Sequence, residues 1–320
     1  MTRPAVAPRA RRLSPWRRSS LALLVVAAAC AGEGGEGEAP LASGPFDGER
    51  ALGYVREQLA FGPRVPGTEG HRAAGDWIER LARERADTVI VQRWTHTTVD
   101  GAALPMRNIL ARFRPRATER VLYVAHWDTR PRSERASDST RRSLPVPGAN
   151  DGASGVAVLL ELAALLKETP PAVGVDLLFV DGEDYGTFGP PDVDVLIGST
   201  YFAEHLPDPD YRPLFGVLWD MVGDRDLRFE QEANSMQHAP EVVARVWEVA
   251  RRLGYGATFT SIPGLAITDD HLPLLQVGLR VIDVIDLDYP WHHTPDDTID
   301  KVSAASLKIV GDVAWALIPR

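Results

Sequence analysis

Four short apolar runs constrain this chain most, because each is β-branched and too short for a buried helix, and three lead straight into acids or histidines. Val121 to Ala125 is followed by His126-Trp127-Asp128, Val175 to Val180 by Asp181-Gly182-Glu183-Asp184, and Phe215 to Leu218 by Trp219-Asp220. The fourth, Arg280 to Ile285, is interrupted by Asp283. Runs that do not alternate with polar residues suit strands covered on both faces. Between them, Gly155 to Lys167, Pro240 to Leu253 and Ser303 to Leu317 repeat apolar residues at three and four places, the spacing of helices packed on a sheet. Upstream, Glu49 to Leu59 and Glu69 to Arg83 read as helices, and Thr88 to Trp94 and Arg107 to Phe113 as strands. The predicted class is α/β, a three-layer α/β/α arrangement around a central mixed, mostly parallel sheet. In such a sheet ligands gather at the carboxyl ends of the strands, where these acids and histidines stand.

The amino-terminal segment reads differently. Six arginines between Arg3 and Arg18 precede an apolar run, Leu21 to Ala29, that is too short to span a bilayer comfortably. This is the layout of a signal peptide over residues 1–29. The run ends at Cys30, the only cysteine among 320 residues, so no intramolecular disulfide forms and a lipid anchor on Cys30 is expected. Plain signal cleavage near the same point is the alternative. Residues 30–45 begin with a Gly- and Glu-rich stretch and read as a flexible tether, with a catalytic domain over 46–320. The expected location is the periplasm or cell surface. Cleavage removes six arginines and no acid, taking the formal charge from −9 to −15. A nucleic-acid partner is excluded on that balance, and membrane contact is expected only through the anchor.

His126, Asp151, Asp184, Asp220 and His293 offer nitrogen and carboxylate ligands of the kind zinc accepts, arriving from separate strand ends. Asp151 lies in a small-residue loop, Gly148 to Gly155, that opens a helix; there Asp151 or Ser154 would serve equally as an N-cap. The adjacent Glu183 and Asp184 allow one acid to hold a metal while the other moves protons. Trp291 and Trp127 stand beside the motif residues and are the candidate walls of a substrate pocket. The segments from Thr129 to Pro147 and from Tyr185 to Leu196 are too long to be mere connectors. The first carries five arginines and reads as a solvated loop, with a lid as the alternative.

Taken in order and spacing, His126-Trp127-Asp128, Gly148 to Gly155, Asp181 to Asp184, Leu218 to Gly223 and His293-Thr294-Pro295-Asp296-Asp297-Thr298 resemble the motifs of the M28 metallopeptidase family. Thr268 to Leu275, containing Asp269-Asp270-His271, and Ile197 to Thr200 are similar to the glutaminyl-peptide cyclotransferase branch. The resemblance implies a zinc exopeptidase or phosphorylase/hydrolase-like fold, with Asp151, Asp184 and His293 on zinc and Glu183 as proton shuttle. Asp220 and Asp269 would be its hydrogen-bonded acidic partners. Three positions depart from the branch pattern. Asp184 stands where Glu is commoner, the tryptophan of Trp291-His292-His293 is displaced by one, leaving His292 as an alternative ligand, and Asp283 stands where a pocket histidine is usual.

Two enzyme readings follow from the resemblance, both acting on the N-termini of peptides or proteins. A cyclase with one zinc would convert N-terminal glutamine to pyroglutamate, Glu183 carrying the proton. An aminopeptidase with two zincs bridged by Asp151 would add His126 and Asp220 as ligands. A third reading is an anchored binding protein that has lost its chemistry, against which stands the retention of Glu183 and the whole ligand set.

Overall fold

The structure is a computed structural model that describes residues 39–319; the expected signal peptide, Cys30 and the first part of the tether lie outside them. The tether also ends earlier than residue 46. The Leu41 N–H donates to the Arg252 carbonyl at 2.9 Å and Ser43 Oγ to Asp312 at 2.8 Å, so the chain is tied down before Phe46 packs on Gly311. Among the described residues no helix is long and apolar enough to cross a membrane.

Helices α1 (Gly48–Ala60) and α2 (Glu69–Arg85) come first, each with an acceptor side chain at its N-cap, Asp47 and Thr68. Strands β1 (Thr88–Thr97) and β2 (Ala103–Phe113) form an antiparallel pair, followed by β3 (Arg120–His126), α3 (Ala153–Glu168), β4 (Gly174–Val180), α4 (Ile197–Glu204) and β5 (Phe215–Asp220). A smaller unit follows: β6 (Phe229–Gln231), α5 (Ala233–His238), α6 (Pro240–Arg252) and β7 (Phe259–Pro263). The chain then returns through α7 (His271–Gln276) and β8 (Val281–Ile285) and closes with α8 (Ala304–Ala316). The main sheet has the order β1-β2-β4-β3-β5-β8; β4, β3, β5 and β8 are mutually parallel, and β2 joins β4 antiparallel. This is the mixed, mostly parallel sheet the apolar runs predict.

Strand alternation explains why those runs are apolar apart from Asp176, Asp283 and the leading Arg280. Val121, Tyr123 and Ala125 face the cluster built with α1, α2, α3, α6 and α8, whereas Leu122 and Val124 face the one built with α4 and α7. Both faces are covered, so both sets are apolar. The helix after β3 covers one face and the helix after β4 the other, which opens a crevice at the carboxyl ends between them. Gly155 makes close packing possible there: a Cβ would lie 2.1 Å from the Trp219 carbonyl at the end of β5.

The opposite end of the sheet is closed by a buried ion cluster. Asp176 of β4 accepts from Arg112 Nε at 3.1 Å, Arg120 Nε at 2.7 Å and Tyr211 Oη at 2.8 Å. Removing a carboxylate that faces two buried arginines leaves their charge uncompensated. The Asp176→Ala variant is therefore expected to lose about 3–5 kcal/mol of stability in urea unfolding, with zinc binding unchanged when folded; a loss below about 1 kcal/mol would contradict this account of the sheet's base.

Candidate metal centre

The site is assembled by backbone devices before any metal-ligating group is placed. Gly152 has φ +92°, and a Cβ there would meet the Asp128 carbonyl at 2.5 Å, so only glycine lets the loop pass that close. Asp297 accepts the N–H groups of Asn150 (2.9 Å) and Asp151 (3.1 Å) and the Tyr289 hydroxyl (2.6 Å), and so sets where Asp151 points. Neither Asp151 nor Ser154 caps α3: the cap is Gly152, and Ser154 Oγ donates to the Asn150 carbonyl while accepting the Val222 N–H. The Asp151 carboxylate is thereby free. In the same way Asp128 accepts the N–H groups of Glu183 and Asp184 at 3.1 and 3.2 Å, fixing the turn after β4. Buried Arg64 holds the Trp127, Pro147 and Gly148 carbonyls.

The expected ligands converge. His126 Nε2 lies 3.2 Å from Asp151 Oδ1 and 3.1 Å from Asp220 Oδ1, while His293 Nε2 lies 3.7 Å from Asp151 Oδ2 and 3.2 Å from Asp184 Oδ1. Asp151 thus faces both imidazoles with different oxygens. His126, Asp151 and Asp220 each offer a ligand atom within 4.8 Å of the others, and so do Asp151, His292 and His293. His293 is the histidine that meets two of the acids; His292 Nδ1 is engaged by Arg135 at 3.0 Å. Two non-glycine residues adopt left-handed backbone here, Met221 beside Asp220 (φ +45°) and His293 itself (φ +55°), a conformation that persists only where its surroundings hold it.

The electrostatics call for a cation. Burial, reinforced by neighbouring acids, pushes Glu183, Asp184, Asp269 and Asp283 above the ordinary carboxylate range, and Asp270 to about 7. Burial opposes the charged form of His293, but Asp184, Glu134 and Asp151 together outweigh it and raise the imidazole to about 9. Burial likewise opposes charge on His126, yet Asp220, Asp128 and Asp151 hold it well above its usual value. Asp151 Oδ2 and Asp184 Oδ2 are buried with no hydrogen-bond partner. Buried carboxylate oxygens without donors, next to imidazole nitrogens, are a donor set that suits zinc.

Beside this cluster opens a cleft of about 360 Å³, lined by Asp151, Glu183, Asp220, Asp269, His292 and His293, by Arg130, Glu134 and Arg135 of the loop after β3, and by the apolar Phe188, Leu265, Ile267, Ile285 and Leu287. The two tryptophans expected to wall the pocket do not line it. Trp127 is fully buried, stacked on His71 at 4.3 Å with its Nε1–H on the Arg107 carbonyl, and Trp291 is 37% exposed with Lys301 over its ring. Asp283, in the middle of β8, faces Asp269 from within the core and is not among the lining residues. Ser199 Oγ donates to Asp270 Oδ1 at 2.5 Å, which joins the 197–200 and 268–275 segments. The loop after β3 is buried only in part: Arg130, Ser133, Ala136 and Val146 are buried, and Arg130, Glu134 and Arg135 line the cleft, whereas Arg132, Arg142 and most of residues 137–144 are exposed, as a solvated loop would be.

An α/β sheet carrying an acid–histidine cluster of this kind at its parallel strand ends defines a metal-dependent exopeptidase-like protein. Residues 108–318 match the model of peptidase family M28, and the chain belongs to that zinc-dependent family. The structure resembles a glutaminyl cyclase from Bacteroides thetaiotaomicron crystallised with N-acetylhistamine, with a TM-score of 0.83 and 36% identity over 86% of this chain and 98% of that one. It is equally similar to a leucine aminopeptidase precursor from the same organism, with a TM-score of 0.82 and 37% identity over 85% and 97% of the two chains. Aminopeptidase YwaD of Bacillus subtilis is 27% identical over 85% of this chain, which spans 57% of that protein's length.

If zinc is the missing counter-charge, it stabilises the fold by mass action. At a free concentration of one hundred times its dissociation constant it is expected to add about 2.7 kcal/mol, and Asp151→Asn or His293→Ala to lose most of that gain. Because His293 must shed its proton to bind metal, the increment should grow as pH rises from 6.5 toward 9. Thermal unfolding with zinc and with chelator measures both; an equal increment in Asp151→Asn would contradict the assignment.

Proposed function

We propose that the chain is a glutaminyl-peptide cyclotransferase-like enzyme that converts the N-terminal glutamine of peptides to pyroglutamate and releases ammonia. Asp269 carries this reading. Its buried carboxyl lines the cleft together with Glu183 and Asp220, a third acid for which hydrolysis by a single general base has no evident use. The similarity to the Bacteroides cyclase over nearly the whole of that chain supports it.

Asp151, Asp184 and His293 would hold zinc, which supplies positive charge to polarise the side-chain amide carbonyl of the substrate. Glu183, raised by burial and then by Asp184, takes a proton from the substrate's α-amine as that nitrogen closes on the amide carbon. The same carboxyl then delivers the proton to the departing nitrogen. One carbon–nitrogen bond forms, one breaks, ammonia leaves, and no water is consumed. Asp220 and Asp269 hold Glu183 and the tetrahedral intermediate by hydrogen bonds. The apolar wall of Phe188, Leu265, Ile267, Ile285 and Leu287 covers the glutamine methylenes and excludes water, which would otherwise divert the amide to glutamate. His126, placed between Asp151 and Asp220, provides positive charge where a second metal would sit, which favours one zinc.

The second reading is a dinuclear aminopeptidase. It is favoured by the His126, Asp151 and Asp220 set, whose atoms also suit a second cation, and by the likeness to the leucine aminopeptidase precursor. A binding protein without catalysis has less support, since Glu183 lies in the cleft with Asp151, Asp220 and His293. With either activity we place the enzyme outside the cytoplasm, anchored through Cys30.

Two measurements test this reading. Zinc-loaded protein is given one peptide beginning with Gln and another beginning with Leu, and products are followed by mass. Loss of ammonia from the first alone is expected; release of free Leu with the Gln peptide uncyclised would make the enzyme an aminopeptidase. Glu183→Gln should retain zinc and lose about 10²–10⁴-fold in rate. Since Glu183 acts deprotonated, kcat/KM should rise with pH through a value above its ordinary 4.5; an acid limb at or below 4.5 would remove Glu183 from the role.

A further inference from the structure

The loop after β3 brings an arginine and a glutamate against the proposed metal ligands, and both also line the cleft. Arg130, only 4% exposed, donates from Nη1 to Asp184 Oδ1 at 2.7 Å and to the Asp184 carbonyl at 3.1 Å. Its Nε donates to Glu134 Oε1 at 2.6 Å, and the same glutamate oxygen lies 3.1 Å from His293 Nδ1. The ring of contacts closes where His293 Nε2 lies 3.2 Å from Asp184 Oδ1. Asp184 Oδ2 stays without a partner, and so does Asp151 Oδ2.

We propose that Arg130 and Glu134 are the positioning pair of the metal centre, Arg130 aiming Asp184 and Glu134 aiming His293 at one shared cation. This rests on the zinc reading of Asp151, Asp184 and His293, and holds whether the enzyme cyclises or hydrolyses. Each half has a physical reason. By donating to Oδ1 and to the backbone carbonyl, Arg130 fixes the orientation of the Asp184 carboxylate beside His293 Nε2, and its fixed positive charge keeps that acid ionised. Because the guanidinium also holds the Asp184 backbone carbonyl, it fixes the turn as well as the side chain. Glu134 accepts the Nδ1 proton of His293, which selects the tautomer whose Nε2 lone pair faces the cation. Arginine is required: a lysine ammonium is a point charge without the fork that spans Asp184 and Glu134.

The loop backbone joins in the same task. The Arg135 N–H donates to the His293 carbonyl at 3.3 Å, and the Val146 N–H to the Arg130 carbonyl at 3.0 Å. His293 is therefore gripped on its ring and on its backbone by one loop, which accounts for its left-handed conformation.

The test is the zinc dissociation constant of the full chain, measured by chelator competition for wild type, Arg130→Gln, Arg130→Lys, Glu134→Ala, Glu134→Gln and Arg132→Gln. Outer partners of metal ligands typically contribute about 10–100-fold in affinity. Arg130→Gln, Arg130→Lys and Glu134→Ala are expected to weaken zinc binding by that amount, Glu134→Gln, which keeps an acceptor, by less, and the exposed Arg132→Gln not at all. The Glu134 side chain is 38% exposed, so its variants remain folded and decide the matter even if Arg130 variants do not. Nitrogen-15 imidazole spectra of the zinc-loaded protein give the second readout: a slowly exchanging Nδ1–H on His293 in wild type, lost in Glu134→Ala. Wild-type affinity in both Glu134→Ala and Arg130→Gln overturns the proposal alone; a wild-type chain that binds no zinc overturns the metal reading with it.

Discussion

The two oxygens of Asp151 face two different imidazoles, and the remainder of the site is organised around that fact. Oδ1 meets His126 from the end of β3, and Oδ2 turns toward His293 from the loop after β8. A carboxylate can do this only if its backbone is fixed from behind, which is the work of Asp297 and of a loop that turns at two glycines with positive φ, Gly148 and Gly152. Charge follows from geometry. Burial and neighbouring acids push Glu183, Asp184 and Asp269 toward neutrality, while His126 and His293 hold Asp151 in its charged form against the same burial.

The sheet makes this crowding possible without dispersing it. Parallel strands β3, β4 and β5 end at the same edge, so His126, Glu183, Asp184 and Asp220 arrive side by side from positions far apart in the chain. Beneath them the strands are apolar on both faces, and the buried polar groups of this region concentrate at the strand ends. Two of the five non-glycine residues with left-handed backbone among the described residues, Met221 and His293, adjoin or form part of the donor set.

Much of this was legible in the sequence because it depends on local pattern. Uninterrupted β-branched runs imply strands covered on both sides, and the acids that end them mark the carboxyl edge. What was not legible depends on tertiary contact. Arg64 and Arg130 act through hydrogen bonds to groups far off in the chain, and nothing in their own neighbourhoods distinguishes them from surface charges; Asp128 and Asp297 stand inside motifs, but the backbone N–H groups they hold could not be read there. Helices α4, α5 and α7, at six to eight residues, are too short to show a period. The tryptophans show a different failure. Trp127 follows His126 on an extended segment, where consecutive side chains point apart, so adjacency to a metal-binding residue in sequence places it away from the cleft. The wall it was expected to form comes from Leu265, Ile267, Ile285 and Leu287, ordinary apolar residues that carry no motif.

The central claim is that Asp151, Asp184 and His293 share one cation while His126 remains between Asp151 and Asp220. Anomalous diffraction at the zinc edge from crystals of the zinc-loaded protein tests this most directly. One peak bonded to the carboxylates of Asp151 and Asp184 and to His293 Nε2 is the expected result. A peak of comparable height bonded to His126 and Asp220 would contradict the single-metal account, and a site bonded to neither Asp184 nor His293 would contradict the assignment altogether.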